Sequence, residues 1–170
     1  VTRHGVLVQV LGLGVLLEGK AGIGKSELAL ELVSRGHALV ADDAVELRRE
    51  GDSLIGSAPP LLYGRMEVRG LGILDLRRLY GAASVIPHSR IDLVIRLLTE
   101  APTLEPEQRL SGIRYPWECL GVALGCLPLW FRAGLNPAVL IEACVRDLHL
   151  RRGGFEADRL FVSEQSSLCA

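Results

Sequence analysis

Residues 19 to 26 read Gly19-Lys20-Ala21-Gly22-Ile23-Gly24-Lys25-Ser26, the residue types and spacing of a phosphate-binding loop. Gly19, Gly22 and Gly24 permit backbone conformations closed to other residues, so successive amide N–H groups can turn inward around phosphate oxygens. The anion then rests on the N-terminus of the following helix. Lys25 supplies a point charge for the outer phosphates and Ser26 a hydroxyl for a Mg²⁺ ion, so the loop predicts a bound nucleoside triphosphate with its metal. A glycine-rich turn can match by accident. The apolar run before this one and the helix-like stretch after it weigh against accident.

A second constellation follows closely. Ala38-Leu39-Val40-Ala41 reads as a buried strand ending in Asp42-Asp43, seventeen and eighteen positions after Lys25. That interval holds one helix and a turn, which predicts that the acidic strand lies beside the strand feeding the loop. Both carboxylates would then face the γ-phosphate. Neighbouring carboxylates push their proton affinities apart, so one can remain ionised near a metal while the other takes a proton. Asp43 is assigned as the base, and Asp42 as a ligand to metal or water, directly or through an intervening group. An Asp that only caps the turn is the plainer alternative.

The elements that must carry these groups are legible in outline. Val6 to Leu17 reads as two short buried strands around a turn, since Gly12 and Gly14 interrupt it. Leu28, Ala29, Leu32 and Val33 recur at helical spacing, giving a helix over 25–35 stopped by Gly36. Val45–Arg48 and Ser53–Ile55 flank Gly51-Asp52 as a hairpin. From Met66 to Asp75 charged and apolar residues alternate before Gly70 and Gly72, as in a half-exposed strand entering a turn. Ile91 to Leu98 is a strand. The Pro- and Glu-rich stretch from Thr99 to Gln108 reads as a loop, where Arg109 is as readily a solvated charge as a ligand. Asn136-Pro137 starts a helix with Leu140, Ile141, Cys144, Val145 and Leu148 on one face, closed by Gly153-Gly154 and expected to pack on the sheet.

Composition narrows the class. The chain has 170 residues, 49% hydrophobic and 23% charged with net charge −1, enough for one core and one domain. Only two of its nineteen basic residues are lysines, and both, Lys20 and Lys25, fall in the loop. Charges are scattered, so no basic stripe suggests nucleic acid, and no apolar stretch is long enough to predict a membrane span. Cys119, Cys126, Cys144 and Cys169 form no metal-binding pair and are expected to be reduced thiols in a cytoplasmic protein. The chain does not begin with Met, which suggests a piece of a longer protein. A regulatory GTPase needs an Asn-Lys-x-Asp element, yet the one Asn, Asn136, precedes Pro137. A mechanical ATPase would carry its acidic strand farther from the loop.

These residues together resemble the catalytic domain of the bacterial HPr kinase/phosphorylase family, over nearly the whole chain. His4-Gly5-Val6-Leu7-Val8 is similar to the family's opening motif, the loop and Val40-Ala41-Asp42-Asp43 follow at its spacing, and Glu67-Val68-Arg69-Gly70-Leu71-Gly72-Ile73-Leu74 resembles its signature stretch. The resemblance implies an α/β fold, a P-loop kinase domain like phosphoenolpyruvate carboxykinase, with a mixed β-sheet and flanking helices. It implies catalytic positions at His4, Lys25, Asp43 and Arg109, the nucleotide on residues 19–26, and Mg²⁺ on Ser26 and Glu67. Arg69 and Arg109 would balance phosphate charge, and His4 would orient or neutralise phosphate.

Two reactions at one site are implied: ATP-dependent phosphorylation of a serine on the carrier protein HPr or a related carrier, and attack of inorganic phosphate on that phosphoserine to give pyrophosphate. A homohexamer is implied, together with a separate N-terminal domain outside residues 1–170. One departure stands out. Trp130-Phe131-Arg132-Ala133-Gly134-Leu135-Asn136 occupies the family's dephosphorylation segment, with Leu135 where an Arg commonly stands. Kinase turnover with weakened phosphorolysis is therefore expected. A nucleotide-sensing module without turnover, or a small-molecule kinase on the same scaffold, would use the same loop; the sensor would need no base at Asp43.

Overall fold

The computed structural model describes residues 1–132 and 134–168. Strands β1 (Thr2–His4), β2 (Val6–Val10) and β3 (Leu13–Glu18) precede helix α1 (Lys25–Ser34), followed by β4 (Ala38–Ala41), β5 (Ala44–Glu50) and β6 (Ser53–Ser57). A hairpin of β7 (Arg65–Val68) and β8 (Gly72–Asp75) leads to the short helix α2 (Leu76–Tyr80) and the long strand β9 (His88–Leu98). Then come α3 (Pro106–Ser111), β10 (Tyr115–Cys119), β11 (Val122–Trp130), α4 (Pro137–Arg152) and α5 (Ala157–Leu168).

The main sheet is mixed, in the order β1-β5-β6-β9-β3-β2-β4, with β11 also on β9 and β10 on β11. Pairings β3–β9 and β9–β11 are parallel, the others antiparallel. Strand β9 is the spine: its first residues pair with β6 (Ile55 opposite Arg90) and its last with β11 (Cys126 opposite Val94), while β3 pairs along its middle, from Ile91 to Arg96.

Successive residues of a strand face opposite sides, and here both sides are buried. Val6, Val8, Val15, Leu17, Leu93 and Ile95 pack toward α1 and α4, joining Leu28, Leu32, Ile141 and Val145. Leu7, Leu16 and Val94 pack the other way, against Val45, Leu54 and Trp117. Burial on two faces explains why Val6–Leu17 does not alternate, Gln9 being its one polar side chain. The β2–β3 turn uses positive φ at both Leu11 (49°) and Gly12 (84°), the backbone twist that suits a two-residue hairpin.

Several expectations hold: the two strands of 6–17, α1 with Gly36 beyond it, β4, the β5–β6 hairpin, β9, and α4 capped by Asn136, whose side chain accepts from the Ala138 N–H at 2.8 Å. One neighbour relation is corrected. Strand β4 pairs with β2, which separates it from β3. The tight β2–β3 hairpin places β2 there first, and β4 adds to its free edge. The 99–108 stretch is likewise not all loop: Pro106 begins α3, with Glu105 and Gln108 forming a reciprocal capping box. Beyond Val68 the chain turns and returns as β8, completing a hairpin. No helix among the described residues is long and apolar enough to cross a membrane.

Candidate active site

Strand β3 ends at Glu18 and delivers Gly19 to the base of α1, so residues 19–26 form the junction between sheet and helix. Gly22 (φ 76°) and Gly24 (φ 101°) take left-handed conformations, turning the amides toward the helix N-terminus. The Lys25 side chain folds back over this loop and is only 6% exposed. Its Nζ donates to the Gly19 carbonyl at 3.0 Å and the Lys20 carbonyl at 3.1 Å.

The acidic corner lies across from the loop, even though β2 intervenes in the sheet. Asp42 is 3% exposed, its Oδ1 accepting the Ser26 hydroxyl at 2.8 Å and its Oδ2 the Glu67 backbone N–H at 3.2 Å. Burial pushes its carboxyl above the ordinary range, and hydrogen bonds from Ser26 and the Glu67 amide oppose that push. Asp42 therefore fixes two elements at once, the start of α1 and strand β7.

Asp43 turns the other way. Its φ of 65° is left-handed, which costs a non-glycine residue on the order of 1 kcal/mol and aims the side chain out of the sheet. The corner is held by Ala44 N–H to the Asp42 carbonyl at 2.8 Å and Gly5 N–H to the Asp43 carbonyl at 3.1 Å. Pairing of β1 with β5 sets His4 opposite Ala44, so His4 Nδ1 comes within 3.0 Å of Asp43 Oδ1. Both side chains are exposed.

Alternation along β7 buries Met66 and Val68 and turns Glu67 outward. Arg69 follows. A Cβ built on Gly22 would meet Arg69 Nη2 at 3.2 Å, so the guanidinium lies over the loop. His4, Asp42, Asp43, Glu67 and Arg69 thus line one cleft of about 290 Å³ with Gly22, Gly24, Lys25 and Ser26. Ala21 is in the lining too; Gly19, Lys20 and Ile23 belong to the loop behind it.

Arg109 is not brought to this lining. It sits exposed in the last turn of α3. Sequence reasoning missed Glu27 and Val6, which also line the cleft, because an acidic first-turn residue and a strand valine are ordinary at those places. The double hold of Asp42 on Ser26 and Glu67 was equally invisible, since it depends on where β7 crosses.

The donor set suits a nucleotide with magnesium. Inward amides and Lys25 fit a polyphosphate, while the Ser26 hydroxyl and the Glu67 carboxylate offer hard oxygen ligands. Among the described residues no three His, Cys, Asp or Glu side chains gather as a self-sufficient metal cage. Magnesium characteristically relies on one or two protein oxygens plus substrate phosphates.

Fold and cleft define the class: an α/β domain in which a phosphate-binding loop faces an acidic corner on a mixed sheet. Within it, the chain belongs to the HPr serine kinase C-terminal domain family, whose model matches residues 1–165. It is 48% identical over 164 residues to the HPr kinase/phosphorylase of Geobacillus thermodenitrificans (strain NG80-2), covering 96% of this chain and 53% of that protein. It is 46% identical over 166 residues to that of Bordetella petrii, covering 97% and 54%. The chain thus spans about half the length of the curated relatives it matches. Its fold superimposes on the HPr(Ser) kinase/phosphatase from Coxiella burnetii with a TM-score of 0.84 and 34% identity, covering 95% of this chain and 98% of that one.

Proposed function

We propose that this domain transfers the γ-phosphoryl group of ATP to a serine hydroxyl of HPr or a related carrier protein, and that it also runs phosphorolysis of the phosphoserine by inorganic phosphate. The carrying observation is the meeting, in one cleft, of a loop lysine, a buried aspartate holding Ser26, and an exposed aspartate beside His4.

Residues 19–26 bind the triphosphate, and Lys25 leaves its two carbonyl partners to meet the outer phosphates. Ser26 and Glu67 hold magnesium, which supplies charge neutralisation at the phosphate oxygens when bound. Asp43 accepts the proton of the incoming serine hydroxyl as its oxygen attacks phosphorus and the ADP oxygen leaves. In reverse, a phosphate oxygen attacks the phosphoserine phosphorus, the serine oxygen departs with a proton from Asp43, and pyrophosphate forms. His4, within 3.0 Å, orients the Asp43 carboxylate. Arg69, over Gly22, balances phosphate charge. For Arg109 the same role rests on family resemblance alone.

The working compartment is taken as the cytoplasm, where free thiols such as Cys119, Cys126 and Cys144 stay reduced. The fourth cysteine, Cys169, lies outside the described residues. A homohexamer is the assembly proposed by resemblance, and sedimentation measures it. The reaction itself is tested by incubating the domain with Mg-ATP and HPr and locating phosphoserine by mass spectrometry. Asp43→Asn should retain ATP binding and lose transfer by at least about 100-fold, the lower range for a general base. Unchanged transfer in that variant would retire the base assignment.

A further inference from the structure

A nucleotide bound as above has an orientation. In the kinase reading Asp43, as proton acceptor, and Glu67, as a residue that would hold the metal, assign their end of the cleft, with His4, to the γ-phosphate. Lys25 and Ser26 address the outer phosphates. The α-phosphate and the nucleoside therefore leave the cleft past the first turn of α1, on the side of Gly24 and Glu27, which line the same cleft.

An aromatic side chain stands at that exit. Strand β11 runs parallel to the end of β9 and finishes at Trp130, so the next residue, Phe131, emerges beside the loop. A Cβ built on Gly24 would lie 3.7 Å from Phe131 Cζ and 3.9 Å from Glu27 Oε2, so ring edge and carboxylate flank the same backbone position. Phe131 is 39% exposed, leaving much of its surface unpacked. Its neighbours are engaged with each other: the Arg132 guanidinium lies 4.8 Å from the centroid of the Trp130 ring. With those two side chains paired, Phe131 is the ring turned to the loop.

We propose that Phe131 is the platform on which the base of the bound nucleotide stacks, forming a nucleoside subsite next to the phosphate cradle. Every nucleobase presents a π-face to such a ring, and apolar contact with the ring edge would hold the ribose. This inference rests on the kinase reading above, and adds to it the residue that distinguishes a nucleotide from a bare polyphosphate.

The test compares equilibrium binding of Mg-ATP and of magnesium tripolyphosphate, which has the phosphates but no base, to the wild-type chain, Phe131→Ala and Phe131→Trp. The alanine variant should weaken ATP by about 5- to 150-fold, the range over which truncating a stacking ring weakens base binding, and leave tripolyphosphate unchanged. The tryptophan variant should restore ATP. Unchanged ATP affinity in the alanine variant overturns the inference. So does a parallel loss of both ligands, which would make the ring a mere support for the loop. A wild-type chain that holds no ATP would instead sink the kinase reading, and this subsite with it.

Discussion

Asp42 accepts the Ser26 hydroxyl at 2.8 Å with one carboxylate oxygen while the other receives the Glu67 amide at 3.2 Å, so a single buried side chain sets the spacing of both proposed magnesium ligands. Asparagine in its place offers only one acceptor oxygen: with that oxygen on the Glu67 N–H its NH₂ would take a lone pair of the Ser26 hydroxyl that the metal needs, and turned round its NH₂ would confront the Glu67 N–H. Losing an outer partner of a metal ligand typically costs about 10- to 100-fold in metal affinity. Asp42→Asn should therefore raise the magnesium concentration needed for ATP binding by that factor, while metal-free tripolyphosphate binds as before. Titration calorimetry with magnesium reads the difference; an unaltered magnesium dependence would remove Asp42 from this role.

A glycine in β3 carries a packing constraint of a different kind. The β3–β9 register slips between Gly14 and Val15, and the Gly14 N–H donates to Asp92 Oδ2 at 3.0 Å. A Cβ on Gly14 would lie 1.8 Å from the Arg90 carbonyl oxygen, a backbone atom that cannot move without parting the two strands. Gly14→Ala should destabilise the domain by at least about 3 kcal/mol, at the upper end of overpacking effects. For a domain of this size that lowers the thermal midpoint by about 6–12 °C. Gly12→Ala, at a turn position with no atom within 4 Å of the added methyl, should cost less, through its positive φ alone. Calorimetric scans of the two variants make the comparison.

How much of this was written in the sequence depends on the range over which each feature is specified. The loop is local: eight consecutive residues encode the turn, the amides and the lysine. Strands β2, β3 and β4 announce themselves because both faces are buried and nearly all their residues are apolar, and β9 does so through the apolar run Leu93–Ile95 and Leu97-Leu98 within it. Sheet order is not local. A strand pairs with whichever edge is open, and the hairpin at Leu11-Gly12 filled the edge that the Ala38–Ala41 strand was expected to take. The acidic pair still reaches the loop, since the corner projects beyond the end of β2. Glu67 was raised to a ligand only by family resemblance; alternation fixed its outward direction but not what lies opposite. Strands β10 and β11 escaped notice because Tyr115–Trp130 mixes proline, glycine and charge without a clean period. Arg109 shows the converse case, a residue whose assignment by resemblance is not matched by a place in the cleft lining.

Glu142 on α4 ties that helix to the end of the loop helix. It receives Arg35 through Nε at 2.8 Å and Nη2 at 2.6 Å and lies 2.8 Å from His37 Nε2. The Arg35 hydrogen bonds, with His37 second, draw its carboxyl from an ordinary 4.5 to about 2. As pH falls through 4.5 the unfolded chain takes up a proton there and the folded one does not until about 2, so the contribution is complete above 4.5 and lost between those values. Glu142→Gln should be less stable than wild type by about 1–3 kcal/mol at neutral pH, allowing for partial solvent screening. The gap should close as the pH is lowered toward 2.5, roughly the end of the linkage window. Urea midpoints of both proteins across that range measure it; a constant gap would mean that packing, not charge, is what Glu142 supplies.

Leu135 bears on the balance between the two proposed reactions. It follows β11 and precedes the Asn136 cap of α4, is 41% exposed, and donates its N–H to the Arg132 carbonyl at 3.2 Å. An exposed leucine neither donates to nor neutralises a phosphate, whereas a guanidinium at the same place presents a planar fork matched to phosphate oxygens. Phosphorolysis has the greater need for such a group, because it brings a free phosphate dianion against a phosphoserine that is already charged. The wild-type chain should accordingly phosphorylate HPr faster than it releases pyrophosphate from phospho-HPr. Leu135→Arg should raise pyrophosphate release by about tenfold or more, the scale of one charge-assisted hydrogen bond, with little change in the forward rate. Because the leucine is at the surface, the exchange leaves the core untouched. Coupled pyrophosphate and phosphoserine assays on both proteins decide the matter: comparable forward and reverse rates in the wild type would show that phosphate binding does not depend on this position.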